Sequence, residues 1–276
     1  MIADRIVAPD MANLPEWGHC TDYIGGVAGQ GILLLQVWEA TGQVKWLDRA
    51  RALGAWLATH RSEQGPGIAW HVSVPVGEPP VYWGFAHGLA GIGHFLARLY
   101  TATGAHQWRD LCEGAARALE AAAVQDHGGL NWNRGPALEP VSRCQWCHGS
   151  PGVGLFFVSA AEHLKEPRYL DLAAQAATCV LAYGDIRRNP SQCHGLAGNG
   201  ELFIELFRVT GQSRWMDHAR LFMEMASAYR STDAAGVRWQ ADEPGFHSPD
   251  FMCGAAGTGH FFLRISESGR LPLPLM

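Results

Sequence analysis

One glycine motif occurs five times in this chain of 276 residues. Each copy has the form x-G-x-x-G-x-G, and the copies begin at Gly25, His87, His148, His194 and Cys253. Neighbouring copies are separated by the length of two helices with their connections. A sequence that repeats at such a period is typical of solenoids and ring-shaped folds. The motif also resembles a dinucleotide fingerprint, but that fingerprint occurs once and follows a strand, so nucleotide binding is not expected.

The residues after each motif predict an inner layer of helices. Apolar runs occupy residues 32–38, 94–100, 155–161, 201–207 and 260–265. Helices that are apolar on most faces belong in the interior of a protein. Several runs end at Thr-Gly pairs, where a glycine can take the left-handed conformation that terminates a helix.

A second helix is predicted after each of the first four runs. These segments are rich in alanine and carry charges on one side, at residues 45–53, 108–115, 168–173 and 214–219. One polar and one apolar face describe an outer layer that packs on an inner one. The sequence therefore predicts an all-α fold, an α/α toroid, with five recognisable inner helices.

A third repeated element precedes several motifs. It is found at Gly67-Ile-Ala-Trp70, Gly129-Leu-Asn-Trp132 and Gly236-Val-Arg-Trp239. We expect each to be a short extended segment near the mouth of the ring, where the inner helices begin.

Composition excludes several classes of protein. A content of 47% hydrophobic and 17% charged residues is typical of a globular chain. The net charge of −5, without a Lys/Arg block, argues against nucleic-acid binding. No apolar run is long enough for a membrane span and no signal peptide is recognisable, so we expect a cytoplasmic protein. Seven cysteines, an odd number, favour reduced thiols or metal ligation over a disulfide framework.

The residues just before the first motif glycines carry the candidate chemistry. Equivalent positions hold Ala86-His87, Cys147-His148 and Cys193-His194. Because equivalent positions converge at the ring mouth, two thiolates and one or two imidazoles would meet there, and that donor set is typical of zinc. The alternative is a set of buried cysteines beside hydrogen-bonded histidines.

Three motifs together resemble those of the lanthionine synthetase C-like family. Trp146-Cys-His-Gly-Ser-Pro-Gly152 and Cys193-His-Gly-Leu-Ala-Gly198 are similar to the family's zinc-site motifs. Ala86-His-Gly-Leu-Ala-Gly91 resembles its catalytic-histidine motif. The resemblance implies that Cys147, Cys193 and His194 hold Zn²⁺ with a fourth position open. It also implies that His87 acts as the acid and base.

Four further residues receive roles from the resemblance. Arg143 and Asp22 fall on polar partners of the site, so we expect Arg143 to stabilise an enolate oxygen and Asp22 to orient His87 or Arg143. Trp146 matches the family motif and is expected to contact substrate. His148 stands where the family commonly has tyrosine; we expect it to contact substrate, with replacement of His194 as a zinc ligand as the alternative.

The function implied is that of a lanthipeptide cyclase, which adds peptide cysteine thiols to dehydroalanine or dehydrobutyrine in a precursor peptide. Expected partners are that dehydrated peptide and a dehydratase or a kinase/lyase domain. The alternatives are a relative that adds glutathione to dehydroamino acids, a zinc-binding peptide adaptor without turnover, and a glycoside hydrolase on the same fold.

The length of the chain conflicts with the repeat count. Residues 1–276 are expected to form a single domain, but the resemblance implies seven inner helices and only five are recognisable. We therefore expect an N-terminally incomplete cyclase domain. An open ring would expose an apolar flank, so instability or oligomerisation is predicted.

Overall fold

The structure is a computed structural model that describes residues 20–72, 80–136, 143–183, 189–234, 236–241, 245–274 and 276. These ranges contain nine α-helices and six short β-strands. None of the helices they contain has the length and apolarity needed to cross a bilayer. The helices are α1 (Val27–Thr41), α2 (Val44–Thr59), α3 (Leu89–Thr103), α4 (His106–Ala122), α5 (Ser150–Leu164), α6 (Arg168–Ala182), α7 (Leu196–Thr210), α8 (Ser213–Ser227) and α9 (Ala255–Ser266). The strands are β1 (Ser62–Gln64), β2 (Gly67–Ala69), β3 (Val124–Asp126), β4 (Gly129–Asn131), β5 (Arg230–Asp233) and β6 (Gly236–Trp239).

The helices form the two layers that the sequence predicts. The odd-numbered helices α1 to α9 follow the five glycine motifs, and consecutive ones pack against each other as an inner layer. Each even-numbered helix packs on the inner helix that precedes it in the chain. The all-α toroid prediction is confirmed. The chain is divided below into repeats 1 to 5. Each repeat consists of one glycine motif and the inner helix that follows it, together with the next outer helix and β-hairpin where these are present.

The predicted helix ends also occur. Gly42, Gly104 and Gly211 follow α1, α3 and α7 with φ of 67°, 68° and 67°. In this left-handed conformation the N–H of each glycine donates to a carbonyl of the last helical turn. The chain can therefore reverse within two residues, and this places the outer helix antiparallel to the inner one.

The predicted extended segments are the second strands of antiparallel β-hairpins. In the first two hairpins the second strand is buried against the outer helix of the following repeat, β2 on α4 and β4 on α6. The indole N–H groups of Trp70 and Trp132 donate to the carbonyls of Leu57 and Leu119, at 2.8 and 2.7 Å. Since those carbonyls lie at the end of α2 and α4, each tryptophan anchors its hairpin to its own repeat.

The last glycine of each motif allows the inner helices to approach closely. A Cβ on Gly93 of α3 would overlap the Phe156 ring of α5, the next inner helix. The equivalent Gly259 of α9 has no atom of another described residue within 4 Å of such a Cβ. Among the described residues, repeat 5 therefore has an open face where the earlier repeats hold the next helix.

The inner helix α9 is also held by a buried ion-pair network. The Arg264 guanidinium is fully buried and pairs with the carboxylates of Glu201 and Glu205 on α7. Because the positive and negative groups are buried together as ion pairs, neither is left as an isolated charge inside the protein, which would be costly. The position of α9 against α7 is thereby fixed.

Candidate metal centre and acid–base pair

Backbone hydrogen bonds join the five loops at the ring mouth. The amide of Ile24 donates to the carbonyl of Ala86, and the amide of Ala86 donates to that of Cys147. The amide of Cys147 donates to Cys193, and the amide of Cys193 donates to Met252, at 3.4 and 2.7 Å. Each bond connects repeat-equivalent positions, so the sequence alignment of the repeats is confirmed. Residues 46 positions apart in sequence, such as Cys147 and Cys193, become neighbours in space.

Each loop folds back over the start of the helix that follows it. In α3 the first amide, that of Leu89, donates to the Tyr82 carbonyl at 2.9 Å, and α1, α7 and α9 use the same arrangement. A Cβ at Gly88 would overlap this carbonyl. In α5 the amide of Ser150 instead donates to Oδ1 of Asn131 at 3.0 Å. The glycines thus let the loops lie against the helix starts and direct the preceding side chains toward the mouth.

Cys147, Cys193 and His194 lie together at this mouth. One potential ligand atom from each lies within 4.8 Å of the other two. Sγ of Cys193 is 3.3 Å from Nε2 of His194. Cys147 is buried, and Cys193 and His194 are half-buried. The structure therefore assembles the three predicted ligands, which come from two neighbouring repeats.

The chemistry of this donor set fits zinc. Two thiolates and an imidazole are zinc's preferred ligands, and three protein ligands are typical of catalytic sites. The pKa of the Cys147 thiol is lowered to about 4, mainly by the hydrogen bond with Cys193 and further by His194, although burial opposes the shift. The thiolate is the form that binds a metal. Cys144 lies outside the metal-ligand group found among the described residues, and its side chain is buried.

His87 and Asp22 form a second pair beside the three ligands. Nδ1 of His87 lies 2.7 Å from Oδ2 of Asp22, while Oδ1 of Asp22 accepts the amide of Gly25 at 2.7 Å. Asp22 is buried, whereas the His87 side chain is 41% exposed. The hydrogen bond to Asp22 raises the pKa of His87, although burial opposes the shift. Of the two partners that the sequence left open for Asp22, the structure pairs it with His87.

His148 and Arg143 lie on the same side of the ring. The His148 ring is 6.0 Å from the His87 ring, measured between centroids. Burial lowers the pKa of His148 to about 4, so its imidazole is neutral at pH 7. Arg143 is exposed. His148 lies outside the metal-ligand group of described residues, so the geometry favours His194 as the third ligand.

Trp146 differs from its sequence prediction. Its side chain is 0% exposed and packs on Phe85 and Tyr23, with ring centroids 5.4 and 6.4 Å away. A ring without exposed surface cannot touch a substrate in this conformation. The side chain lies beneath the Cys147 loop, and the role that the geometry supports is to hold this loop in place.

Two residues near the site have no counterpart in the sequence prediction. Oε1 of Gln145 lies 3.7 Å from the Cys147 sulfur. The Tyr82 ring contacts the His148 ring edge-on, at 5.6 Å between centroids. The repeat equivalents of Tyr82 include Arg143 and Asn189, so no shared residue type marks the position. Only the three-dimensional arrangement identifies these neighbours.

Fold and site together define a class, an α/α toroid with a candidate Cys₂His metal centre at the mouth of its inner ring. The structure resembles nisin cyclase with a TM-score of 0.69 at 18% identity, over 91% of this chain and 64% of that one. It resembles a GH76 α-mannanase of Bacteroides thetaiotaomicron with a TM-score of 0.60 at 12% identity, over 88% and 68%. Likenesses at these identities establish the fold alone.

The family model of the lanthionine synthetase C-like protein matches residues 3–276, so the chain belongs to that family. Glutathione S-transferase LANCL1 of Danio rerio is 25% identical over 199 residues, or 70% of this chain and 45% of the relative. LanC-like protein GCL1 of Arabidopsis thaliana is 25% identical over 177 residues, or 64% and 39%. The chain thus spans less than half the length of these curated relatives.

Proposed function

We propose that the protein is a zinc-dependent lanthionine and methyllanthionine cyclase. In this proposal it adds cysteine thiols of a precursor peptide to dehydroalanine or dehydrobutyrine residues of the same peptide. The observation that carries the proposal is the position of Cys147, Cys193 and His194 beside the His87–Asp22 pair. Membership of the lanthionine synthetase C-like family and the likeness to nisin cyclase support it.

Cys147, Cys193 and His194 would hold the metal. Bound zinc lowers the pKa of a thiol that reaches it, and so supplies a nucleophile at neutral pH. The backbone bond from Cys147 to Cys193 fixes the two ligand loops relative to each other. The site is thus organised before any substrate binds, which keeps the reacting groups in position.

His87 would protonate the enolate that forms in this reaction. The substrate sulfur forms a bond to the β-carbon, the double-bond electrons move toward the carbonyl oxygen, and an enolate results. Because Asp22 engages Nδ1 of His87, Nε2 is left to deliver a proton to the α-carbon. The thiol releases its proton to solvent, His87 gives a proton to the α-carbon and is then reprotonated from solvent, so the protons balance over the cycle. The raised pKa of His87 favours the protonated form that this step requires.

Arg143 and His148 complete the proposed site. The exposed guanidinium of Arg143 supplies a fixed positive charge at the mouth, where it would stabilise the enolate oxygen. The neutral His148 ring lies against His87 and would border the substrate. A dehydrated substrate requires a dehydratase, or a kinase and lyase, as the preceding activity.

Addition of glutathione to dehydroamino acids is the second candidate, and one comparison favours it. A relative with 25% identity is named glutathione S-transferase. The same residues would act, with the thiol supplied by glutathione instead of the peptide. Glycoside hydrolysis is less favoured, because a paired set of carboxylates is required and the buried Asp22 carboxylate is committed to His87.

Mass spectrometry separates the candidates. The protein is incubated with a dehydrated peptide that contains cysteine, with and without glutathione, and free thiols are then alkylated. Loss of alkylation without a mass increase indicates ring formation, and a mass increase by one glutathione indicates intermolecular addition. An unchanged peptide in both incubations contradicts both catalytic proposals and leaves a zinc-binding peptide adaptor.

A further inference from the structure

A polar cavity of about 290 Å³ lies near the carboxyl ends of the inner helices, whereas the candidate metal centre lies at their amino ends. Its walls are formed by the consecutive helices α3, α5 and α7, by Arg264 of α9 and by the tail that follows α9. Arg264 is the residue that pairs with α7. No residue of α1 is among the described residues that line the cavity, so it is distinct from the space between α1 and α9.

The tail after α9 closes one side of the cavity. Nε of Arg264 donates to the carbonyl of Leu271 at 2.8 Å, and the Leu273 side chain is 2% exposed. Farther along, Gln36 of α1 donates to the carbonyl of Pro274 at 3.3 Å. These contacts hold the tail against the ring. A group inside the cavity would be partly shielded from water, and electrostatic interactions strengthen where water is excluded.

The charged lining disfavours a cation. Both of its glutamates are already paired, because Arg208 donates to Glu162 and Glu205, and Arg264 also donates to Glu205. The Glu205 and Arg264 side chains are 4% and 0% exposed. A cation would therefore have to displace guanidinium groups from carboxylates inside the protein, and breaking a buried ion pair is costly.

Two further arginines of the lining keep donors for an anion. Arg98 and Arg270 each bind one half-exposed glutamate, Glu39 or Glu267, through Nη2 at 2.8 and 3.0 Å. A guanidinium has five N–H donors, so other nitrogens of both arginines remain for an acceptor. Arg98 is only 15% exposed. It lies more than one turn before the end of α3, beyond the range in which the helix dipole repels an anion.

His94 of the lining has a buried polar atom without a partner. Its side chain is 1% exposed, and Nδ1 lies 2.8 Å from Oγ of Ser159, but Nε2 has no hydrogen-bond partner among the described residues. Burial lowers the pKa of His94 well below its usual range and that of His163 to about 4, so both rings are neutral at pH 7. A buried polar atom without a partner costs free energy, and a ligand that bonds to it would remove this cost.

We propose that this cavity binds a small oxyanion, the phosphate or carboxylate group of a small molecule, with Arg98, Arg270 and His94 as its donors. Guanidinium groups bind both kinds of oxyanion through charge-assisted hydrogen bonds. The cavity volume lies at the lower limit of small-molecule pockets, which favours a small molecule over a peptide segment. The inference goes beyond the proposed function, because it concerns the other end of the ring and holds for any reaction at the mouth.

Isothermal titration calorimetry tests the proposal without turnover. The probes are inorganic phosphate and acetate, each in chloride buffer of constant ionic strength. Their Kd values are measured for the wild-type chain, Arg98→Gln and Arg270→Gln. Arg220→Gln is the matched control, since Arg220, like Arg270, is exposed and pairs with an acidic residue three positions earlier. Cys193→Ala is included because phosphate can also bind to zinc at the mouth.

We expect the wild-type chain to bind at least one probe, and Arg98→Gln to weaken that binding about tenfold, because a charge-assisted hydrogen bond is lost. Arg270→Gln should weaken it about two- to threefold, since its side chain is 79% exposed. Arg220→Gln and Cys193→Ala should bind like the wild type. The probe that binds more tightly then shows whether the site prefers a phosphate or a carboxylate group.

Three results would overturn the cavity proposal: no binding of either probe at millimolar concentration, equal Kd values for wild type and Arg98→Gln, or loss of binding in Cys193→Ala. The last result would place the anion at the metal centre. If Arg98→Gln does not fold, Arg270→Gln decides, and a Kd equal to that of the wild type then counts against the proposal. None of these results bears on the cyclase proposal, which the mass-spectrometric assay tests separately.

Discussion

The middle of the ring and its end are built from the same sequence motifs but pack differently. Around Gly93 the next inner helix fills the space, whereas around Gly259 the described residues leave it open. Strands β2 and β4 are buried under the following outer helix, whereas the equivalent strand β6 is exposed over most of its length. Each repeat is thus completed by the one that follows it. The candidate ligands Cys147 and Cys193 lie in repeats 3 and 4, which have neighbours on both sides.

His87→Ala is expected to have the largest effect on activity. The variant should bind zinc like the wild type but lose ring closure by about 10²- to 10⁴-fold, the usual contribution of general acid–base catalysis. Rates of cyclisation and zinc content are measured on the same preparation. A variant that closes rings at the wild-type rate would show that His87 is structural.

Asp22→Asn tests the link between repeats 1 and 2. The hydrogen bond to Asp22 raises the pKa of His87, so its loss should lower that pKa. If protonated His87 is required, the rate falls as the pH rises through its pKa, and in the variant this fall should begin at lower pH. An identical pH–rate profile in both proteins would contradict the role of the pair.

Gly93→Ala and Gly259→Ala test the packing difference directly. The first should lower the free energy of unfolding by about 1–3 kcal/mol, because the new methyl overlaps Phe156. The second should raise it by roughly 0.5–1 kcal/mol, because alanine favours a helix and its methyl would meet no atom of a neighbouring described residue. Denaturant unfolding measures both. Equal destabilisation by the two changes would mean that the open face of α9 is covered.

Trp132→Phe and Trp239→Phe give the smallest expected difference. Trp132 donates to the Leu119 carbonyl at 2.7 Å, so its replacement should cost about 1 kcal/mol. The Trp239 indole N–H has no hydrogen-bond partner among the described residues, and phenylalanine can keep the edge contact with Phe262. We expect a change within about 0.5 kcal/mol there. Comparable losses in thermal unfolding would show that the third hairpin is anchored like the others.

The fold could be predicted because the repeats share their main signals. Apolar runs after each motif place the inner helices, and the Thr-Gly pairs place their ends. The alignment of Ala86, Cys147 and Cys193 follows from counting residues to the first glycine, and the mouth hydrogen bonds confirm it. Periodic features of this kind are visible in one sequence, because each copy supports the interpretation of the others.

The side-chain environment could not be predicted in the same way. The burial of Trp146 depends on Phe85 and Tyr23, which lie in other repeats. The repeat-equivalent Arg98 also pairs with a glutamate of the preceding inner helix, Glu39, but that carboxylate is half exposed, so the repeat pattern does not indicate the full burial of Arg264 with Glu201 and Glu205. Contacts between repeats depend on which side chain each repeat has at a given position. An alignment of the repeats shows what they share and does not indicate which contacts their differing side chains make.

The central claim is that the chemistry lies at Cys147, Cys193 and His194, in the repeats with neighbours on both sides. Elemental analysis of the wild type, Cys193→Ala and Cys253→Ala tests it directly, since Cys253 occupies a mouth position in repeat 5. We predict one zinc per chain in the wild type and in Cys253→Ala, and almost none in Cys193→Ala. A wild type without stoichiometric zinc, or a Cys193→Ala variant that keeps it, would contradict the account.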